Sequence, residues 1–179
     1  QEGRTIVFVD EAGFYLLVSR VLTYAPIGQT PILRAPLTRD HFSVIGAITP
    51  DGKLYVHIQD KAFKGDAIVM FLKHLLRHIE GKLLIIWDGL PAHRSLVIKD
   101  FLRQGATRRI HLEQLPGYAP DLNPIEGLWH YLKSVEMNNL CCKTMLDLRN
   151  ELRKAIARVR HKTYIICACI EQVHLGQKL

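Results

Sequence analysis

Three acidic residues occupy positions where the sequence pattern predicts strand ends or a helix start. Asp10 follows the largely apolar run 5–9, and Asp88 follows a second apolar run at 83–87. Glu126 lies at the predicted start of a helix. Carboxylates that converge repel one another unless a cation lies between them, and Mg²⁺ is bound by carboxylates, water and substrate phosphate. The three residues could therefore hold two metal ions that stabilise the attacking and leaving oxygens of a phosphodiester displacement.

The elements that would position these residues are predicted from hydrophobic periodicity and turn signals. They are strands at 5–9 and 15–19 around a hairpin-like turn at 11–14, a loop at 24–36, a hairpin of 42–48 and 54–58 around the turn 50–53, a helix capped by Asp66 and ended by Gly81, a strand at 83–87 buried on both faces, a helix from Ser95 to Gly105, and a strand at 110–115. This order favours an α/β layered fold with a mixed sheet. Ligands of such sheets gather outside the carboxyl ends of strands, where Asp10 and Asp88 are predicted. Glu11 should point away from Asp10, to the other face of its strand.

Each acidic residue also has a purely structural interpretation. Asp10 could simply end its strand, and Asp88 could cap the turn that follows it. Asn123, Pro124 and Glu126 fit the N-cap, first and third positions of a helix, so the Glu126 side chain could reach back to the cap amide. The same helix start would favour the ionised carboxylate that a metal ligand requires.

Three blocks of the sequence carry these acidic residues in a recognisable order: FVDEAG at 8–13, WDGLPAHRS at 87–95, and LPGYAPDLNPIE at 115–126 followed by Leu128 and Trp129. Together, from about residue 5 to about residue 135, they resemble the DDE superfamily endonuclease domain of mariner-like bacterial insertion-sequence transposases. The resemblance implies an RNase H-like fold, in which a mixed sheet is flanked by helices. It also implies that Asp10, Asp88 and Glu126 bind two Mg²⁺ ions, which Mn²⁺ can replace, and that the activity is DNA cleavage and strand transfer.

The resemblance further implies partners and a domain organisation. The expected partners are DNA, as element ends and as target, and a second copy of the chain in an active homodimer. Residues 1–179 are expected to form one catalytic domain. Because the family recognises element ends through N-terminal helix-turn-helix modules, and the sequence starts without Met, a fragment lacking those modules is expected. The resemblance also implies a location in the bacterial cytoplasm, in association with the nucleoid.

Composition agrees with a nucleic-acid partner. The net charge is +7 and the pI is about 9.4, which favours a polyanion such as DNA or an acidic membrane surface. A hydrophobic content of 48% is typical of a globular protein. No stretch approaches the roughly 20 apolar residues of a membrane span. The sequence therefore predicts a protein that does not cross a membrane.

Several basic residues are candidates for DNA contacts. His93 and Arg94 follow Asp88 and could contact phosphate or orient a ligand, although His93 could instead stabilise its own turn by hydrogen bonds. His130 and Lys133 share a predicted helix face with Glu126 and are candidates for DNA contact. His130 could touch the scissile phosphate or Glu126, or it could simply be a solvated surface residue. On the other face of that helix, the predicted core residues are Ile125, Leu128, Trp129 and Leu132.

A predicted helix at 144–161 has one apolar stripe and two basic ones. Leu148, Leu152, Ile156 and Val159 should point inward, while the outward residues are Arg149, Arg153 and Arg160 on one stripe and Lys154, Arg158 and His161 on the other. Such a face is usually just solvated. Its positive balance nevertheless makes four residues candidates for phosphate contact: Arg149, Arg153, Arg158 and Arg160.

The four cysteines lie at 141, 142, 167 and 169, spacings that do not form a zinc-finger pattern. With His161 and His174 nearby a zinc site is conceivable. Reduced cysteines on apolar helix faces fit a cytoplasmic protein better.

Two alternative functions remain open at this point. Another RNase H-like nuclease, acting on RNA–DNA hybrids or junctions, would cut without joining ends. A domesticated DNA-binding domain would bind DNA without turnover, which the presence of all three carboxylates argues against.

Overall fold

Five strands form one mixed sheet at the centre of the fold. They are β1 (Arg4–Tyr15), β2 (His41–Ile48), β3 (Leu54–Gln59), β4 (Lys82–Trp87) and β5 (Ile110–Gln114). The strand order is β3-β2-β1-β4-β5, in which β1, β2 and β3 are antiparallel neighbours and β1, β4 and β5 are parallel neighbours. This computed structural model describes residues 3–17, 24–30, 32, 38–117 and 122–176.

Helices cover both faces of the sheet. They are α1 (Gly65–His78), α2 (Leu96–Arg103), α3 (Pro124–Tyr131), α4 (Met145–Arg160) and α5 (Thr163–Gly176). One buried cluster joins the sheet to α1 and α2, and a second joins the opposite face to α3, α4 and α5. A short 3-10 helix (Pro91–Arg94) precedes α2, and a π-helical turn (Leu132–Glu136) extends α3. No helix in the described part of the chain is long and apolar enough to cross a membrane.

β1 is one long strand, so the predicted turn at 11–14 is wrong. Residues Phe8 to Tyr15 pair without interruption with β2, ending at the pair Tyr15–His41. Ala12 and Gly13 suggested a turn locally, but pairing with a distant strand decides the conformation. Part of the second predicted strand, at 18–19, lies outside the described residues, as do residues 31 and 33–36 of the predicted loop at 24–36. Its described residues, 24–30 and 32, are exposed and irregular.

The two faces of β1 meet different helix layers. Val7 and Val9 are packed in the cluster of α1 and α2, while Phe14 is packed in the cluster of α3, α4 and α5. Because side chains alternate along a strand, Asp10 points to the α3 layer and Glu11 to the α2 layer. The predicted opposite orientation of these two acidic residues agrees with their contacts, described below.

The parallel pairing of β1 with β4 explains how Asp10 approaches Asp88. This pairing ends at Phe8–Ile86, and β4 ends at Trp87, although β1 continues beside β2. Asp10 was predicted to end its own strand. It lies instead within β1, beside the end of β4. Asp88 follows β4 directly, so both carboxylates lie at the carboxyl edge of the parallel part of the sheet.

Several local predictions are confirmed. The hairpin of β2 and β3 forms with Gly52 in its turn at φ +79, and the strand predicted at 110–115 is β5. The apolar stripes of α3 and α4 are buried at every predicted position: Ile125, Leu128, Trp129, Leu132, Leu148, Leu152, Ile156 and Val159. Periodicity predicts these stripes because a helix buries one face.

Helix starts were less well predicted. α1 begins at Gly65, with Lys64 rather than Asp66 at its N-cap. Ser95 does occupy the N-cap of α2, but its side chain makes no capping hydrogen bond. β4 is also not buried on both faces throughout, because Leu84 and Ile86 are only half-buried. These two residues lie on the face of β4 opposite to Leu83, Ile85 and Trp87, which are buried in the cluster of α1 and α2.

Candidate active site

Asp10, Asp88 and Glu126 line one cavity of about 500 Å³. Its wall is completed by Arg94, by Asn123 before α3, and by the segments that follow β4 and β5. The cavity opens at the carboxyl edge of β4 and β5, where an open α/β sheet usually binds its ligands. The structure thus brings the three predicted acidic residues to one place.

Asp10 is buried against Trp129 of α3. Asp10 is only 6% exposed, and the Trp129 Nε1–H donates a hydrogen bond to Asp10 Oδ2 over 2.9 Å. Burial, together with the negative charges of Glu126 and Asp88, raises the pKa of Asp10 to about 7, although the Trp129 hydrogen bond opposes this rise. The local potential is therefore strongly unfavourable to a third negative charge, and a cation in the cavity would relieve it.

Gly46 of β2 makes the position of Trp129 possible. This glycine pairs with Asp10 across the sheet, and the Trp129 ring lies against its backbone. A Cβ at position 46 would lie 2.5 Å from Cη2 of Trp129 and 2.9 Å from Cζ2. The absence of a side chain there lets the indole reach Asp10.

Asp88 is fixed through one of its two carboxylate oxygens. The Leu90 backbone N–H donates to Oδ1 over 3.1 Å, and His93 Nδ1 lies 2.8 Å from the same oxygen. His93 Nδ1 also hydrogen-bonds to the backbone carbonyl of Asp88 over 3.1 Å. Within the described residues no hydrogen bond engages Oδ2, which leaves that oxygen available to a ligand in the cavity.

His93 connects Asp88 to Glu11. Its ring is 2% exposed, stacks on Trp87 with centroids 4.3 Å apart, and places Nε2 3.2 Å from Glu11 Oε1. Burial alone would lower the pKa of His93, but the hydrogen bond to Glu11 and the contacts with Asp88 outweigh it and raise the pKa. With an acceptor beside each ring nitrogen, the doubly protonated imidazolium is favoured.

The buried ring, with a partner at each nitrogen, favours the predicted role of orienting a ligand over the predicted DNA contact of His93. The alternative prediction, a histidine that stabilises its own turn, fits the structure. Glu11 was not predicted to belong to the site. The one signal for it is its adjacency to Asp10, and only the fold brings it to a residue 82 positions away.

Glu126 lies at the third position of α3 and its side chain is exposed. No side-chain cap forms at this helix start, so the predicted capping-box alternative is wrong and the Glu126 carboxylate is not used by the cap. Asn123 occupies the N-cap position, yet its Nδ2 donates to the Val9 carbonyl over 3.4 Å. Asn123 thereby ties the start of α3 to β1 next to Asp10.

The donor set fits a hard divalent cation. It consists of carboxylate oxygens, with the Asn123 Oδ1 as a buried acceptor that has no hydrogen-bond partner in the described structure. In the described part of the chain, however, no three His, Cys, Asp or Glu side chains are already arranged to hold a metal ion. The shared metal site therefore stays a prediction, and binding would require the carboxylates to close around the ion.

The remaining predicted DNA contacts are distributed unevenly. Arg94 is exposed and lines the carboxylate cavity. The other basic residues predicted to contact DNA are not among the described residues that line this cavity. His130 is exposed on α3, and Lys133 lies with Nζ 5.3 Å from the centre of the Phe14 ring, in a separate groove.

The basic face of α4 is partly neutralised by ion pairs. Arg149 lies 2.8 Å from Asp60 and over the Phe42 ring, and Arg158 lies 2.6 Å from Glu136. Arg153 and Arg160 are exposed and enter no ion pair with other described residues. Of the four predicted α4 contacts, these two carry the least compensated charge.

All four cysteines are free, with Cys142 buried and the others half-buried. The described residues contain no zinc-type cluster around them. The His174 side chain lies outside the described part of the structure.

Comparison with known proteins places this geometry in a family. The profile described as DDE superfamily endonuclease matches residues 5–149. The chain belongs to this family. The resemblance in the three sequence blocks is thereby confirmed at the level of the DDE endonuclease family. No curated protein sequence matches the chain.

Solved structures of Mos1 mariner transposase share the fold. The Mos1 paired-end complex with Mn superposes with a TM-score of 0.67 at 16% identity, over 94% of this chain and 53% of the Mos1 chain. The Mos1 catalytic domain alone superposes with a TM-score of 0.57 at 14% identity, over 94% of this chain and 81% of that one. The chain thus spans about half the length of full Mos1 chains. The predicted RNase H-like fold, a mixed sheet flanked by helices, is confirmed.

Proposed function

We propose that this chain is the catalytic domain of a transposase, which cuts DNA at the ends of a mobile element and joins the freed ends to target DNA. The observation that carries the proposal is the shared cavity of Asp10, Asp88 and Glu126 in a member of the DDE endonuclease family. Similar structures support the substrate, since Mos1 has been solved as a paired-end complex and as a strand transfer complex.

Two Mg²⁺ ions, or Mn²⁺ ions in their place, are the proposed cofactors. Mos1 structures with each metal support this choice. Such ions, when bound, activate the attacking oxygen and stabilise the leaving oxygen of an in-line displacement. Asp10, Asp88 and Glu126 would bind them, and the exposed guanidinium of Arg94 in the cavity wall would contact the DNA phosphate.

The protein positions these groups before the substrate arrives. Trp129 holds one oxygen of Asp10, and Leu90 with His93 holds one oxygen of Asp88, so each carboxylate keeps its other oxygen for the cavity. Glu126 lies in the first turn of α3, where the helix dipole favours a negatively charged side chain. Partners that hold one oxygen of each aspartate limit the directions in which the two carboxylates can move as they close around the metal ions.

We also propose residues 1–179 as one catalytic domain and a homodimer as the active form, as the resemblance implies. A DNA substrate would associate the protein with the nucleoid in a bacterial cytoplasm. Non-specific contacts to DNA phosphates are proposed for exposed basic residues, foremost Arg153 and Arg160 of α4.

Cleavage of supercoiled plasmid tests the catalytic assignment. We expect nicking in Mg²⁺ or Mn²⁺ and none in EDTA. Asp88→Asn or Glu126→Gln should reduce the nicking rate by more than about 100-fold, while DNA binding persists. Loss of a group that only hydrogen-bonds to a metal ligand costs at most about 100-fold, so a larger loss indicates a ligand. Asp100→Asn on α2 removes the same charge from an exposed site and is the matched control. Near wild-type nicking by Asp88→Asn would refute the assignment.

Strand transfer separates the proposal from its alternatives. A pre-cut element end incubated with target plasmid should become covalently joined to it in a metal-dependent reaction. Cutting without joining would indicate another RNase H-like nuclease. Binding without any metal-dependent nicking would indicate a DNA-binding domain that does not turn over.

A further inference from the structure

Asp88 is connected to an acidic residue on the opposite side of the sheet through a single buried histidine. Glu11 lies on the face of β1 that points away from the carboxylate cavity's Asp10, and its Oε1 lies 3.2 Å from His93 Nε2. The other ring nitrogen of His93 contacts both the backbone carbonyl and Oδ1 of Asp88, over 3.1 and 2.8 Å. Glu11, His93 and Asp88 therefore form one continuous chain of contacts.

The histidine in this chain has little freedom to move. Its side chain is 2% exposed, and its ring stacks on Trp87 with an interplanar angle of 5°. Trp87 is the last residue of β4 and is itself buried in the core of α1 and α2. A stacked, buried ring with a partner on each nitrogen keeps one orientation, so its contact with Asp88 has a fixed direction.

We propose that Glu11 and His93 are positioning residues for Asp88: they fix its backbone and its Oδ1, so that Asp88 binds a divalent cation through Oδ2 alone. This inference rests on the proposed function, in which Asp88 is a metal ligand. Glu11 itself does not enter the cavity lining. Acidic or carbonyl partners behind a histidine or carboxylate ligand orient that ligand, and their loss commonly weakens metal binding 10- to 100-fold.

Measuring Mn²⁺ binding to the metal-free protein tests this without relying on activity. Electron paramagnetic resonance of free Mn²⁺ gives the dissociation constant for the wild type and for His93→Phe, His93→Asn and Glu11→Gln. Phenylalanine keeps the ring that stacks on Trp87 but loses both nitrogens. Asparagine places an amide nitrogen near the position of Nδ1, so it can still donate to Asp88 but not to Glu11.

We expect His93→Phe to raise the dissociation constant about 10- to 100-fold, and His93→Asn to recover most of that loss. Both variants are neutral at position 93 and leave Glu11 in place, so the difference between them reports the donor to Asp88 and not a change of charge. Glu11→Gln should weaken Mn²⁺ binding by an intermediate factor. Glu113→Gln is the matched control, because it removes one charge from an exposed Glu–His pair with its partner 3.5 Å away.

Several results would overturn the inference. Equal Mn²⁺ affinity of His93→Phe and His93→Asn would do so, as would wild-type affinity of Glu11→Gln or equal weakening by Glu113→Gln. If thermal unfolding shows that His93→Phe does not fold, the near-isosteric Glu11→Gln decides the question. Asp88→Asn distinguishes failure of the proposed metal site from failure of the positioning role. Wild-type Mn²⁺ affinity in Asp88→Asn refutes the metal site. Weakened Mn²⁺ binding in Asp88→Asn, together with wild-type affinity of the Glu11 and His93 variants, refutes only the positioning role.

Discussion

Replacing Gly46 by alanine should displace the tryptophan that holds Asp10. The added Cβ would lie 2.5 Å from Cη2 of Trp129, whereas carbon atoms in contact are normally about 3.5–4.0 Å apart. The neighbouring atoms are a fully buried ring and Ile125, so neither can rotate into solvent. A shift of the indole by about 1 Å, which restores a normal contact, would stretch the 2.9 Å hydrogen bond to Asp10 beyond useful length.

The size of the Gly46→Ala effect follows from two separate costs, one from overpacking and one from the lost hydrogen bond. Overpacking a well-packed core costs about 1–3 kcal/mol. For a protein of this size, that loss lowers the melting temperature by about 2–12 °C. Loss of a hydrogen bond to a carboxylate costs about 1.5–3 kcal/mol when that carboxylate is ionised. Because the Trp129 hydrogen bond lowers the pKa of Asp10, its loss should also raise that pKa and weaken metal binding at neutral pH.

A double-mutant cycle provides the decisive assay. Trp129→Phe removes the Nε1–H and also the ring atoms that would collide with a Cβ at position 46. We therefore expect Gly46→Ala to destabilise the wild type but to be tolerated better in the Trp129→Phe background, with a coupling energy of about 0.5–3 kcal/mol in denaturant unfolding. Gly117→Ala, whose Cβ would meet nothing within 4 Å, is the control for stability. Additive effects, or a Gly46→Ala variant as stable and active as the wild type, would refute this account of how Asp10 is positioned.

Two further predictions concern ion pairs and DNA. Glu136→Gln should lower the free energy of unfolding at neutral pH by about 1 kcal/mol, because the nearly buried Glu136 carboxylate accepts hydrogen bonds from Arg158 and Lys162. The difference from the wild type should vanish in acid, as measured by urea unfolding across pH. Arg153→Ala combined with Arg160→Ala should flatten the log–log salt dependence of DNA binding by up to about 2, weakening all sequences alike.

The sign of the Glu136 effect follows from its pKa. Burial alone would raise the pKa of Glu136, but the hydrogen bonds from Lys162 and Arg158 outweigh it and hold the pKa below its ordinary 4.5. The stabilisation is therefore complete above pH 4.5 and is lost as the pH falls through the lower folded-state pKa. A constant difference between variant and wild type down to pH 2 would contradict this. For DNA binding, an unchanged salt slope would show that α4 does not face the phosphates.

Sequence patterns predicted the elements whose signal is local. The stripes of α3 and α4 follow from helical spacing, and all of their predicted residues are buried. β1 was divided wrongly, because its continuation through Gly13 depends on pairing with β2, which lies about 30 positions further along the chain. The N-cap position of α3 was predicted correctly, but its side-chain contact was not. Asn123 is used by the Val9 carbonyl rather than by its own helix, and no local pattern reports that choice.

The two aspartates of the cavity are anchored by opposite helix layers, and this determines how the site responds to change. Asp10 is held by Trp129, which is buried in the core of α3, α4 and α5. Asp88 is held by His93, which is stacked on Trp87 in the core of α1 and α2. The distance between the two carboxylates therefore depends on the packing of both cores across the sheet. A cavity-forming substitution in either core should thus weaken metal binding more than its effect on stability alone would suggest, because it moves one carboxylate and leaves the other in place.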